Sequence, residues 1–245
     1  MLKSILVSLA VCLSPVFAAC DYETLQAATR NYVTSQGTGA FASVAASATY
    51  TENFKTTPIQ SSILSKALKI DHNRSLHDTT QCATYTEIVV TDPSHPYVIG
   101  VQMQYNADAT QVTKIEAIVT DQGDWLFNAT GTYNYASKEN WSTIPVESRN
   151  TRAVIQAAGD AYLDLFNNKN VVASIPGNGS PNDSCNVGVP SGVALVNRRY
   201  VIDETVGAVD VFLNFGGTTG IPDSHEFRVE NGKLRFVHTM SVMGN

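Results

Sequence analysis

The sequence predicts an α+β fold of two tandem halves, each with helices packed on a curved, cone-shaped antiparallel sheet, and three observations predict it. Leu25-Gln26-Ala27-Ala28 with Tyr32 one turn on is echoed in the second half by Ile155-Gln156-Ala157-Ala158 with Tyr162. Each echo opens an apolar pattern of helical period. Each is then followed by runs of β-branched and aromatic residues in strand-like alternation, with no helix between them. Strands gathered after helices indicate an antiparallel sheet and argue against a doubly wound nucleotide-binding fold.

Residues 1–19 read as a secretory signal peptide. Lys3 precedes an apolar stretch from Ile5 to Leu13, then Pro15 and the small pair Ala18-Ala19. The stretch is too short for a membrane span, and no later apolar run reaches that length. Of the four cysteines, Cys12 leaves with the signal, and Cys20, Cys82 and Cys185 remain. An odd number in a secreted chain suggests one disulfide and one spare thiol. Cys20 with Cys82 is the favoured pair because both lie in the same half. A bacterial lipoprotein box ending at Cys20 is a competing reading. Sequons at Asn73, Asn128, Asn140, Asn178 and Asn182 suit a eukaryotic secretory route better.

Half 1 spans residues 20–140. Its helix is expected to run to Ala42-Ser43, and its strands are Tyr85 to Val90, Tyr97 to Tyr105 and Val112 to Thr120. The segment Asp71 to Asp78 is rich in metal-ligand types, but its sequon at Asn73 marks it as a surface loop, and no metal is expected. Residues 141–150 form a linker in which Ser148 or Asn150 caps the next helix. Half 2 spans 151–245, with a helix to Ala173-Ser174 and strands Val193 to Ile202, Ala208 to Phe215 and His225 to Val242. Cys82 and Cys185 each precede a strand run. The second half is shorter between its helix and its cysteine, so the first half should hold the better enclosed cavity.

The net charge of −6, a pI near 5.3 and no basic run longer than Arg198-Arg199 exclude a nucleic-acid or anionic-membrane surface. Gly-x-Ser-x-Gly, His-Glu-x-x-His, Walker and Gly-x-Gly-x-x-Gly motifs are absent. Serine hydrolase, zinc protease, NTPase and nicotinamide enzyme therefore lose their sequence basis, and no cofactor is expected.

The candidate chemistry lies near the C-terminus. Asn231-Gly232 between alternating runs signals a two-residue hairpin. Counting outward pairs Arg228 with Arg235, Phe227 with Phe236 and His225 with His238. Both histidines would then share one face above Phe227 and Phe236. Such a pair in an apolar pocket could serve as general acid and base. Laying Val112 to Thr120 over Leu234 to Val242 places Glu116 where the other half has His238. Alternation along Arg198-Arg199-Tyr200 sends one arginine inward, where it could bind a carboxylate, enolate or phenolate of a ligand. Asp203 and Glu204 read as turn residues.

The runs Arg198 to Glu204, Pro222 to Val229, Gly232 to Thr239, Gly123 to Phe127 and Arg152 to Leu163 resemble fungal secreted proteins with a domain of uncharacterised function. The order of helix then sheet resembles the NTF2-like, or SnoaL-like, cone fold. The resemblance implies a group that includes hetero-Diels-Alderases of tropolone-sesquiterpenoid biosynthesis. On that basis the expected function is cofactor-free dehydration or cyclisation of an apolar small molecule, a polyketide- or terpenoid-like substrate, in a cone-shaped pocket. The alternative is a non-catalytic secreted protein that binds small molecules or a host. A homodimer through the sheet is open to such a fold, although two halves in one chain could cover that surface internally.

Overall fold

The computed structural model describes residues 20–168, 170–171 and 190–243. The signal segment, Cys185, Asn178 and Asn182 lie outside them. α1 (Tyr22–Thr38) starts where the Asp21 carboxylate accepts the Thr24 N–H at 2.7 Å, and stops at Gly39, whose φ of 74° makes a left-handed cap. The helix therefore ends before Ala42-Ser43, and a short α2 (Phe41–Val44) follows. Its buried residues, Leu25, Thr29, Tyr32 and Gln36, form a single stripe. β1 (Thr49–Glu52) and β2 (Lys55–Thr56) come next, then β3 (His72–Asp78), β4 (Ala83–Val90), β5 (Tyr97–Tyr105) and β6 (Val112–Thr120). They make one sheet in the order β2-β1-β6-β5-β4-β3. The β1–β6 pairing is parallel, a departure from the all-antiparallel expectation.

After α3 (Ala129–Ala136), α4 (Arg152–Leu165) is capped by Thr151 in place of Ser148 or Asn150. β7 (Leu195–Asp203), β8 (Ala208–Phe215), β9 (Ile221–Glu230) and β10 (Lys233–Ser241) then form a second, four-stranded meander. Gly159 lets α4 approach this sheet: a Cβ there would sit 3.1 Å from Phe227 and 3.2 Å from Val209.

The Asp71 to Asp78 segment is thus mostly a strand and not a surface loop. Its alternation of Arg74, Leu76 and Asp78 with exposed Asn73 was masked by the density of polar residues. β3 ends in Asp78 and β7 in Asp203, and the ladders pair Asp78 with Ala83 and Asp203 with Ala208. Cys82 and Gly207 stand at matching places in these two hairpins, with φ of 50° and 64°. The counterpart of Cys82 is therefore Gly207 and not Cys185.

The two sheets pack face to face. Leu76, Tyr85, Val98 and Ile118 of the first meet Val201, Ala208, Phe212 and Met240 of the second in one buried core. On the outer faces, Tyr32, Phe41 and Leu64 pack under α1, and Ile155, Leu163 and Phe166 pack with Phe227 under α4. These side chains fill the faces that the two sheets turn away from each other. A disulfide joins Cys20 to Cys82, tying the start of α1 to the β3–β4 turn. No described helix is long and apolar enough to cross a membrane.

Candidate functional site

Counting along the ladders relates the two sheets rung by rung. From the Asp78 and Asp203 ends, Arg74 corresponds to Arg199, Glu87 to Phe212, Gln102 to Glu226 and Glu116 to His238. All eight lie on the faces that the sheets turn toward each other, and they gather into two clusters.

The first cluster is closed. Arg74 from β3 donates through Nε to Glu226 Oε1 at 3.1 Å and through Nη2 to Glu226 Oε2 and, at 3.1 Å, to Glu87 Oε1. Its guanidinium carbon stands 3.8 Å from the ring centroid of Trp141. His238 places Nδ1 2.9 Å from Glu87 Oε2 and Nε2 2.8 Å from Glu139 Oε2. Burial pushes the imidazole pKa down, but Glu87 and Glu139 outweigh that and hold it up at about 10. Burial likewise raises the Glu87 carboxyl, and His238 and Arg74 outweigh it, leaving it at about 2. Oxygen and nitrogen ligand atoms of Glu87, Glu226 and His238 lie close enough together to hold a metal ion. Yet Arg74 Nη2 already contacts all three, with His238 Nδ1 at 3.0 Å, so the cation at their centre is the guanidinium.

The second cluster is open. Arg199 Nε lies 3.1 Å from Glu116 Oε1, and its guanidinium carbon is 4.5 Å from the centroid of Phe54. Lys114 Nζ donates to Glu116 Oε2 at 2.6 Å. Gln102, which corresponds to Glu226, turns aside and donates to Asp210 Oδ2 at 2.6 Å and to the Arg199 carbonyl at 3.2 Å. Burial pushes the Asp210 carboxyl well above its ordinary range. Beside Arg199 opens a cavity of about 270 Å³, walled by Gln102, Met103, Glu116, Arg199, Tyr200 and Val201 among others. Arg198 also borders it, but its guanidinium is held by Asp160 and Asp164 of α4, each at 2.6 Å. Tyr200 donates to the same Asp160 at 2.8 Å.

The expected histidine pair does not form. A bulge at Arg235 shifts the hairpin by one residue, so Phe236 pairs with Arg228, Val237 with Phe227, His238 with Glu226 and Thr239 with His225. The shift sends His238 and Phe236 into the space between the sheets and leaves His225 and Phe227 under α4. Phe236 stacks on Trp141. His225 is buried against Tyr162, Phe166 and Phe227, its Nδ1 2.5 Å from Asp223 Oδ1. Glu116, Arg198, Arg199 and Tyr200, read from different halves, do converge on one pocket.

The sequence reading passed over Arg74, Glu87, Gln102, Glu139, Trp141 and Glu226. Arg74 stood in a presumed loop and Trp141 in a presumed linker. Glu87, at the centre of a run in which every residue is buried, is the exception that alternation could have flagged. The sequons Asn73, Asn128 and Asn140 are exposed.

Residues 148–241, which take in α4 and β7–β10, match the model of a family described as a domain of unknown function (DUF8021). No curated protein and no solved structure matches the chain.

Proposed function

We propose that this chain is a secreted glycoprotein that binds a small organic molecule in the pocket between its two sheets. The observation that carries the reading is the open cluster itself. Glu116 and Gln102 from one half meet Arg199, Tyr200 and Val201 from the other around a cavity of about 270 Å³. A benzene-sized ligand needs roughly 150 Å³, so a molecule of about one ring and a polar group fits. The lining is more polar than that of most small-molecule sites, which suits a charged or strongly polar ligand. The disulfide, the exposed sequons Asn73, Asn128 and Asn140 and the signal-like leader support secretion.

A second reading is cofactor-free dehydration or cyclisation of the bound molecule, as the hetero-Diels-Alderase resemblance implies. It is supported by the Glu116 carboxylate beside the Lys114 ammonium, a pair able to accept and return a proton at the pocket. His225 and His238 are not part of this reading, because each is enclosed by its own partners. The matching helix-plus-meander halves support a tandem duplication of the NTF2-like cone. In that arrangement the face through which cones pair is covered within one chain, which favours a monomer.

The test uses the mature glycoprotein with a set of small acidic, basic and neutral ring compounds, followed by ligand-observed NMR and mass analysis of the compounds. Binding that disappears in Gln104→Trp, which adds bulk at an exposed position of the pocket wall, supports the pocket. An unchanged mass with an unchanged compound spectrum supports binding alone, and loss of one water, or a new isomer of the same mass, favours the enzyme. Compounds that bind equally well to Gln104→Trp sink the proposal.

A further inference from the structure

We infer that the ligand of the inter-sheet pocket is a small carboxylic acid, and that its carboxylate takes the place beside Arg199 that Glu226 takes beside Arg74. This rests on the pocket being a ligand site, as proposed above.

The two clusters correspond residue by residue. Arg74 and Arg199 occupy the same rung of their strands, four residues before the buried aspartate that ends each strand. Each projects between the sheets, and each guanidinium lies over an aromatic ring of the connecting segments, Trp141 for one and Phe54 for the other. A residue on the third strand of the opposite sheet then decides what each arginine meets. For Arg74 it is Glu226, which reaches across with both oxygens, one to Nε and one to Nη2. That is the two-pronged carboxylate geometry a guanidinium favours. For Arg199 it is Gln102, which donates to Asp210 and to the Arg199 carbonyl and so offers the guanidinium nothing. The residue at the Glu87 position is Phe212. Arg199 has therefore lost both carboxylates that its counterpart keeps, and an open cavity stands in their place.

What remains around Arg199 leaves room for one negative charge. Nη1 is used by the Asn197 carbonyl at 2.7 Å. Nε is buried and has no hydrogen-bond partner, since Glu116 at 3.1 Å lies out of line with the N–H. Glu116 is itself held by Lys114 at 2.6 Å. Arg198 is neutralised by Asp160 and Asp164. Lys114 and Arg199 thus face one carboxylate, Glu116, and a second carboxylate from the ligand makes the set neutral. Ala83, Val201 and the aliphatic stems of Gln104 and Lys114 border the space for the body of the acid.

The experiment compares benzoate with benzamide, equal in shape and differing in charge, by calorimetry on the full mature chain. Benzoate should bind at least tenfold more tightly. Arg199→Gln should remove that preference by weakening benzoate alone. Gln102→Glu should do the same by rebuilding the closed arrangement, with the new carboxylate on Arg199 shutting out the ligand. Folding of each variant is checked by its thermal midpoint, and the ratio on the native chain decides the matter if either variant unfolds. Benzamide binding as tightly as benzoate, in a manner that Gln104→Trp abolishes, overturns the carboxylate and leaves the pocket standing. If neither probe binds, and no member of the wider compound set does, pocket and carboxylate fall together.

Discussion

Asp78 and Asp203 each end a strand and each accept a backbone N–H from the other's strand. Ile202 N–H donates to Asp78 Oδ2 at 2.9 Å, and His77 N–H donates to Asp203 Oδ2 at 2.9 Å. Their second oxygens close their own hairpins in the same pattern. Asp78 Oδ1 accepts from Thr80 and Gln81, and Asp203 Oδ1 accepts from Thr205 and Val206. Even the helices join in, since the first residue of α4, Arg152, grips Asp78 with two bonds of 2.7 Å, and the first of α1, Tyr22, donates to Asp203 at 3.0 Å. The two carboxylates therefore fix the packing of the halves, each using the other half's backbone.

Loss of either carboxylate should loosen that packing, and unequally. Asp78→Ala leaves Arg152 without its partner and should cost about 3–5 kcal/mol, the range for one side of a buried ion pair. Asp203→Ala strands backbone donors and a tyrosine hydroxyl and should cost about 1–3 kcal/mol. Urea unfolding of both variants checks the order. Equal, small losses would mean that the apolar core between the sheets alone sets their packing.

The Cys20–Cys82 bridge closes a loop of 62 residues, and its removal should cost about 2–4 kcal/mol. Thiol titration of the unfolded, unreduced mature chain should find one free cysteine, the spare thiol being Cys185, and three after reduction. Two or more free thiols before reduction would contradict the bridge.

Stability should also depend on pH through His238. Its pKa is raised from 6.5 to about 10 on folding, so its contribution is complete below pH 6.5 and is lost as pH rises toward 10. Glu87 works in the opposite sense: depressed from 4.5 to about 2, it stabilises above pH 4.5 and fails as pH falls toward 2. Thermal midpoints should thus fall on both sides of a plateau between roughly pH 4.5 and 6.5. His238→Gln should flatten the alkaline limb and also shrink the acid one, because His238 is the first of the charges that hold Glu87 down and chiefly Arg74 is left to do so. An unchanged alkaline limb in that variant would assign the loss to another group.

What the sequence disclosed of this arrangement, and what it hid, divides along physical lines. The two helix starts were legible because a buried stripe forces apolar residues into a 3.6-residue period, and Leu25 and Ile155 obey it. The hairpin at Asn231-Gly232 was legible because both residues take left-handed backbone, φ 51° and 71°. The register beyond it was not, because a bulge at Arg235 leaves no mark in the alternation of polar and apolar residues. β3 was hidden because its inward face carries Arg74 and Asp78, which are paired with Glu226 and Arg152 of the other half of the chain. Buried charge satisfied at long range looks, in sequence, like exposed charge.

The bulge also makes a prediction about the two histidines and Glu116. His225 now lies under α4, 3% exposed, on the face of its sheet turned away from the inter-sheet pocket. Its Nδ1 is engaged with Asp223, whose other oxygen accepts from Ser241 at 2.5 Å. His225→Ala would open a void among Tyr162, Phe166 and Phe227 and leave Asp223 short of a partner. It should lower stability by about 1–3 kcal/mol, the scale for a lost buried hydrogen bond with packing. Affinity for a pocket ligand, corrected for the fraction folded, should not change. Glu116→Gln, on the inner face of the other sheet and lining the cavity, should do the reverse. It releases Lys114 and Arg199 from their shared carboxylate, so it should strengthen binding of an anionic probe while costing under about 1 kcal/mol of stability, as expected for a partly exposed pair. Measuring unfolding and probe affinity on both variants separates the core beneath α4 from the space between the sheets. A ligand effect in His225→Ala with stability intact would return that histidine to the site and place the working pocket beneath α4.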